Sequence, residues 1–360
     1  MTRAIVIGGG IAGTSAGARL SADLNITLLE MEDALGYHAS GRSAALFEEQ
    51  YGLPSTKALN SASAEFHRTA NGGYLSPRGF MILARKGEED LFAADMEELK
   101  AHPIGVGEAC GIVPIINPEV IAAAAYHEEA YDIDTDRMIQ DFAKTIRANG
   151  GRVITKAVVT EVARDGHLWR VTISGGETFE AERIVNAAGA WADPVARLCG
   201  VTPIGITPHR RSMARIPAPG GHDMSGWPIF FGAGEAWYAK PDAGKLLVSP
   251  ADEDPVEPHD AWADDMVLAE GLARYEECVT EPVTRVETSW AGLRSFSPDR
   301  ALVLGPDPAV PSFIWCAGQG GYGFQTAPAA SKLVADLTLG RAPELAAEVV
   351  AALRPERFRQ

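Results

Sequence analysis

Ala4-Ile5-Val6-Ile7-Gly8-Gly9-Gly10-Ile11-Ala12-Gly13 is the stretch that decides the fold of this chain. Four consecutive apolar residues suit a parallel strand buried on both faces, and they run straight into Gly-x-Gly-x-x-Gly. In that context Gly8 permits the tight turn, Gly10 lets a pyrophosphate approach the backbone, and Gly13 lets the next helix pack closely on the sheet. Ala12, inside the motif, is expected to share the contact. The helix that follows presents the positive end of its dipole to the phosphates. A second apolar stretch, Ile26-Thr27-Leu28-Leu29, ends in Glu30, 17 residues beyond Gly13, where a carboxylate can take the ribose hydroxyls, and Met31 follows it. Strand, glycines, helix, strand and acid together predict a Rossmann-like dinucleotide-binding unit.

The motif itself serves NAD and FAD alike. Two features favour FAD: a small residue, Gly17, four positions after Gly13, and the absence of another complete Gly-x-Gly-x-x-Gly that could hold a separate nicotinamide. A flavin reduced by its own substrate needs only one such site.

The rest of the composition narrows the field. At 360 residues and 46% apolar content, the chain has the length of two ordinary domains and ample material for a core. Its 32 basic and 48 acidic residues give a formal charge of −16, which repels phosphate backbones and anionic lipid and argues against nucleic acid as a partner. Cys110, Cys199, Cys278 and Cys316 are widely spaced without a C-x-x-C pair, so neither a metal site nor a disulfide framework is expected. Buried thiols in a reducing compartment are the reading instead. No run approaches the ~20 apolar residues of a membrane span, and the sequence enters a strand directly without a basic region and apolar signal core. A cytoplasmic protein without an integral membrane segment is therefore expected, either free or peripheral to the inner membrane. The segment Pro250 to His259 reads as a surface loop.

Further along come Tyr37-His38-Ala39-Ser40-Gly41-Arg42-Ser43-Ala44-Ala45, Asp132-Ile133-Asp134-Thr135-Asp136, Val185-Asn186-Ala187-Ala188-Gly189-Ala190-Trp191, Tyr238-Ala239-Lys240-Pro241-Asp242, Trp290-Ala291-Gly292-Leu293-Arg294-Ser295-Phe296 and Gly318-Gln319-Gly320-Gly321-Tyr322-Gly323-Phe324-Gln325. In these blocks the sequence resembles the D-amino acid oxidase (DAO) family of flavoenzymes, and within it the bacterial catabolic D-arginine dehydrogenases. The residues read on their own agree. Ser40 to Ala45 is a small-residue loop followed by a helix-compatible run, able to lie against a flat ring. Ile184 to Ala188 is an apolar strand ending at Gly189, and Phe313-Ile314-Trp315-Cys316-Ala317 is a strand breaking into glycines before a helix from Thr326 onward.

The resemblance implies an α/β, glutathione-reductase-like architecture. Residues near 1–45, 135–200 and 290–360 are expected to form the FAD-binding domain, and 46–134 and 201–289 a substrate domain around a mixed or antiparallel sheet. Ala39, Ser40, Gly41, Arg42, Ser43, Ala44, Ala45, Leu46, Val159, Ala188, Gly189, Gly320, Gly321, Tyr322, Gly323, Phe324 and Gln325 join the glycine motif as cofactor contacts. FAD is expected to be noncovalent, because Ser297-Pro298-Asp299 lacks the nearby cysteine through which sarcosine oxidase types tether it.

The implied reaction is oxidative deamination of a D-amino acid, by hydride transfer from Cα to flavin N5, to an imino acid that water converts to a 2-oxo acid and ammonia. The electron acceptor is oxygen, a quinone or an artificial acceptor. Arg294 matches the family's carboxylate-binding arginine, with Arg211 and Tyr238 as helpers and Tyr51 as a lid. Arg210 and Arg211 face opposite sides of a strand, so only one reaches the pocket. Basic substrates would need an acidic wall, yet Phe80 stands at the matching position and Ile229 and Phe231 face it. With Leu46, Glu48, Gly321 and Gln325 they outline the substrate pocket, expected to take a neutral, apolar side chain. Glu48 and Glu49 could restore an acidic contact, but a solvated helix face is their expected role. Alternatives are glycine, an N-methyl amino acid, a cyclic imino acid or a 2-hydroxy acid as substrate, or a flavin-binding module without turnover.

Overall fold

A computed structural model describes residues 2–358; residues 1, 359 and 360, the outermost of the expected FAD-binding segments, lie outside the described residues. The Arg3–Ile7 strand sits inside a six-stranded sheet ordered Val303–Pro306, Phe313–Ala317, Arg183–Asn186, Arg3–Ile7, Asn25–Leu29, Arg152–Ile154. Neighbours run parallel except the first pair. The apolar runs become strands because both faces are covered. Val6, Leu28, Val185 and Ile314 pack against the helices Ile11–Leu20, Thr135–Ala148 and Gly323–Leu339. The alternate residues Ile5, Leu29, Ile184 and Phe313 pack on the other side against a three-stranded antiparallel layer, Val159–Asp165, Leu168–Ile173 and Thr178–Ala181. Gly17 lies where a Cβ would come within 2.9 Å of Ile146, so a small residue there lets the first helix meet Thr135–Ala148.

The second sheet has nine strands. Its main path runs Asp254–Pro255, Thr207–Ile216, Lys245–Ser249, Tyr238–Asp242, Ile229–Gly232, Phe80–Arg85, Ile121–His127, His102–Ile104, and Thr288–Phe296 pairs with Thr207–Ile216. The pairs are antiparallel except Ile229–Gly232 with Phe80–Arg85, which makes the sheet mixed. Thr288–Phe296 pairs continuously from Thr207 opposite Phe296 to Arg215 opposite Thr288. The expected boundary at 290 therefore falls inside a strand of the second sheet.

Three local expectations change. The run after Ser40–Ala45 is not helical: Ala45 takes a positive φ of 38° and the chain enters a short strand, Leu46–Phe47, paired with Tyr131–Ile133, which also pairs Leu75–Pro77. The helix expected from Thr326 begins at Gly323, three residues earlier. The 250–259 segment is mostly exposed or half-buried, as a surface loop should be, but is pinned to the sheet, because Asp252 accepts hydrogen bonds from the backbone N–H and hydroxyl of Ser212 and from Arg210. Cys199, Cys278 and Cys316 are buried, whereas Cys110 is partly exposed. Among the described residues no helix is long and apolar enough to cross a membrane.

Candidate functional site

A cavity of about 530 Å³ runs between the two sheets, from the glycine turn to the Phe80 strand. At its first end the three glycines differ in what they make possible. Gly8 has φ of +109°, and a Cβ there would meet the Ala187 carbonyl oxygen at 2.4 Å. A Cβ on Gly13 would come within 1.9 Å of the Gly8 carbonyl oxygen, so the first helix could not start where it does. Gly10 is open, with only the Ser40 hydroxyl within reach of a Cβ. That open face, at the head of the Ile11–Leu20 helix, is a cradle for an anionic group. Ser40 occupies one of the helix's free donors, accepting from Ile11 N–H at 3.0 Å.

Glu30 is buried and held by two backbone donors, Gly9 N–H at 2.6 Å and Glu32 N–H at 2.9 Å. Both oxygens are thereby fixed, with lone pairs left over for a ligand. Arg42 spans the gap between the sheets, donating to the carbonyls of Ala261 and Ala291 and to Asp260. Lys240, buried and paired with Asp132, donates to the Ala44 carbonyl. The 39–46 loop is thus tied to the second sheet through Ala291 and Lys240 and to the head of the first helix through Ser40. At the far side of the cavity the Gly323–Leu339 helix begins, and His67 Nε2 meets the Gln325 carbonyl at 3.0 Å. Burial holds His67 near a pKa of about 4, so the ring is neutral and this bond requires its Nε2–H tautomer.

The deeper half of the cavity is built by the second sheet. Arg294 faces Gly321, where a Cβ would lie 3.0 Å from the guanidinium carbon. Burial alone would depress the Arg294 pKa, but the Tyr51 and Tyr238 hydroxyls and Glu235 beside it raise it, so the charge is secure. Tyr51 is pushed upward by burial and stays neutral, and its ring lies against Tyr322 at 5.5 Å. Arg211 lines the cavity, donating through Nε to the Asp252 carbonyl while its buried Nη1 has no partner. Arg210 takes the opposite side of the strand, paired with Asp252 and Asp254. A second cavity of about 570 Å³ adjoins this region, sharing Tyr51, Arg211, Glu235 and Arg294 with the first.

Phe80, Ile229, Phe231, Leu46 and Tyr238 line the same end. Ile229 pairs with Phe80 across the parallel ladder and Phe231 with Tyr238 across the antiparallel one, which brings them to one face. The Phe80 and Phe231 rings are 5.9 Å apart. Glu48 corrects the expectation of a solvated helix face. It follows the Leu46–Phe47 strand, is 5% exposed and lines the cavity, whereas Glu49 turns outward to Arg68. Burial raises the Glu48 pKa to about 7 against the Gln50 N–H that lowers it.

Of the expected cofactor contacts, Gly8, Gly10, Ala12, Glu30, Met31, Ala39, Ser40, Arg42, Ser43, Ala44, Ala45, Leu46, Val159, Ala188, Gly189, Gly320, Gly321, Gly323, Phe324 and Gln325 border the cavity. Gly13, Gly41 and Tyr322 do not. Gly13 packs the helix, and Gly41 closes a turn through its N–H to the Gly36 carbonyl at 2.6 Å. Tyr322 borders the second cavity instead. Sequence reasoning missed His38, Trp191, Met213, Glu235, His259 and Gln319 on the main cavity wall. His38, Trp191 and Gln319 lay inside quoted blocks, so their proximity was readable; Met213, Glu235 and His259 arrive through long-range pairing and carry no local mark.

The family model for FAD dependent oxidoreductases, DAO, matches residues 3–337. Among curated proteins, the chain is 24% identical to FAD-dependent oxidoreductase domain-containing protein 1 of Bos taurus, over 93% of this chain and 80% of that protein. It is 25% identical to glycine oxidase of Geobacillus kaustophilus, over 92% and 91% of the two chains. The solved structure of L-proline dehydrogenase from P. horikoshii superposes with a TM-score of 0.83 at 21% identity, covering 99% of this chain and 98% of that one. These relatives do not support the expected closeness to D-arginine dehydrogenases. The superposition agrees with the two-sheet fold, and by the family match over residues 3–337 the chain belongs to the DAO family of FAD-dependent oxidoreductases.

Proposed function

We propose that the chain oxidises the Cα–N bond of a neutral, apolar D-amino acid to an imino acid, which water hydrolyses to a 2-oxo acid and ammonia. The observation that carries this reading is the meeting, in one cavity, of the Arg294 guanidinium and the Phe80, Ile229 and Phe231 wall, continuous with the glycine turn. FAD supplies the two-electron acceptor when bound. Gly8, Gly10, Ala12 and the head of the first helix would take its pyrophosphate, and Glu30 and Met31 its ribose side. The 39–46 loop, Val159, Ala188, Gly189 and Gly320 to Gln325 would enclose the rest. None of the four cysteines borders the cavity, which favours noncovalent binding.

Arg294 would hold the substrate carboxylate through its planar fork, assisted by the free Nη1 of Arg211 and the Tyr238 hydroxyl. Tyr51 would close over it and exclude water. An anchored carboxylate at one end and an apolar wall at the other leave few orientations for Cα, which is what such an oxidation demands of the protein. The D configuration rests on the likeness of the motif blocks. Glycine oxidase and L-proline dehydrogenase among the relatives favour a second reading, oxidation of glycine or of a secondary amine with the same carboxylate clamp.

Anaerobic mixing of the flavin-loaded protein with D- and L-amino acids, sarcosine, glycine, proline and 2-hydroxy acids separates the readings by flavin bleaching. Faster bleaching by D-leucine or D-norvaline than by any L-amino acid, glycine, sarcosine, proline or 2-hydroxy acid is expected. Bleaching confined to proline, glycine or sarcosine would replace the first reading with the second, and an oxidised spectrum throughout would overturn both.

A further inference from the structure

The apolar wall has one polar interruption. Glu48 is buried beside Phe80 and its side chain borders the cavity, yet only one of its carboxyl oxygens is satisfied. Oε1 accepts from Gln50 N–H at 2.8 Å, whereas the buried Oε2 has no hydrogen-bond partner. His127 Nε2 lies 3.6 Å from it, long for a hydrogen bond and an ion pair only when the ring is protonated. His127 stands opposite Phe80 in the ladder, with its ring 5.1 Å from that of Phe80, and burial lowers its pKa, which disfavours the protonated form. The other charges felt at Glu48 are Glu49 and Glu129, which disfavour its ionised form, and Lys100, which favours it. A buried carboxyl lacking a partner costs the full desolvation of that group, and the cost is removed when a ligand brings a donor.

We propose that Glu48 ends the side-chain pocket and selects substrates that carry a hydrogen-bond donor at the tip of an apolar stem. The proposal rests on the amino-acid oxidation reading and refines its substrate class. The stem lies along Phe80, Ile229 and Phe231; the tip, a hydroxyl or an ammonium, donates to Glu48 Oε2. Apolar substrates still fit, but leave that oxygen as it is.

The test compares isosteric pairs that differ only at the tip: D-α-aminobutyrate with D-serine, D-norvaline with D-homoserine, and D-norleucine with D-ornithine. kcat/KM and the Kd from flavin bleaching are measured for the wild type, Glu48→Gln and Glu48→Leu. In at least one pair the wild type favours the donor-bearing member, and Glu48→Leu lowers that preference by roughly 10- to 100-fold, the range of a hydrogen bond to a charged group. Glu48→Gln, which keeps an acceptor oxygen, retains part of the preference and guards against a leucine variant that fails to fold. Preference for the apolar member in every pair, or ratios unchanged in both variants, would overturn the assignment while leaving the oxidation reading intact. If no member of any pair bleaches the flavin, the oxidation reading falls and this proposal falls with it.

Discussion

Two buried carboxylates sit at opposite ends of the same cavity, and they are held in opposite ways. Glu30 receives a backbone N–H on each oxygen, from Gly9 and Glu32, so the surrounding turn is built around a charge. Glu48 receives one, on Oε1, and its other oxygen has no hydrogen-bond partner, with the His127 imidazole 3.6 Å away. The first end is finished before any ligand arrives. The second is left incomplete, and its incompleteness is where selectivity can reside, because a ligand's contribution is greatest where the protein alone has failed to satisfy a buried group.

The largest effect should come from the finished end. Gly13→Val puts carbon where the Gly8 carbonyl oxygen already lies, so the first helix cannot dock. Purified protein should contain no flavin, read as the ratio of 450 nm to 280 nm absorbance. Stoichiometric flavin in that variant would show that the turn tolerates rebuilding and that the first end is no more finished than the second. Next, Arg294→Ala is expected to lower kcat/KM by at least 10- to 100-fold, from roughly 1.5–3 kcal/mol for a charge-assisted contact, with flavin content unchanged. Loss of flavin together with activity would move Arg294 from the substrate end to the cofactor end of the comparison.

The smallest effect sharpens the contrast most directly. Burial raises Glu48 from an ordinary 4.5 to about 7, so the folded chain binds more protons than the unfolded one across that window and stability falls as pH rises through it. His67 works in the other direction. Held near 4 by burial, it stays neutral while the unfolded chain takes a proton below 6.5, so its contribution makes stability rise with pH from about 4 to 6.5. Glu48→Gln removes the first contribution alone. Thermal denaturation should find the variant more stable than the wild type at pH 8, by about 1–3 kcal/mol, and equal to it near pH 4. A constant difference at all pH values would mean that Glu48 is already satisfied in the folded chain.

The two ends also differ in how far the sequence reveals them. The glycine turn, Glu30 and the closing strand and helix are local patterns, set by periodicity and by backbone that only glycine fits, and they were legible directly. Arg294, Tyr51 and Tyr238 became visible through motif likeness. Glu48 carried two readings, a pocket residue or half of a solvated Glu48-Glu49 pair, because nothing nearby signals that the chain enters a strand at Leu46 and buries the first of the two. Glu235 and His259 reach the cavity only through the pairing of strands far apart in the chain. The boundary expected at 290 depends on the same kind of contact: Thr288–Phe296 pairs with Thr207–Ile216, and nothing within the segment names that partner.

Gly321 and Arg294 illustrate how such long-range geometry constrains sequence change. With a would-be Cβ 3.0 Å from the guanidinium carbon, position 321 can hold a side chain only if the guanidinium gives by a few tenths of an ångström. The two positions, one on a sheet strand and one in the loop before the Gly323–Leu339 helix, are thus coupled through a single contact. A larger residue at 321 is felt first as a displaced fork at 294, so the bare loop helps to set where that fork aims.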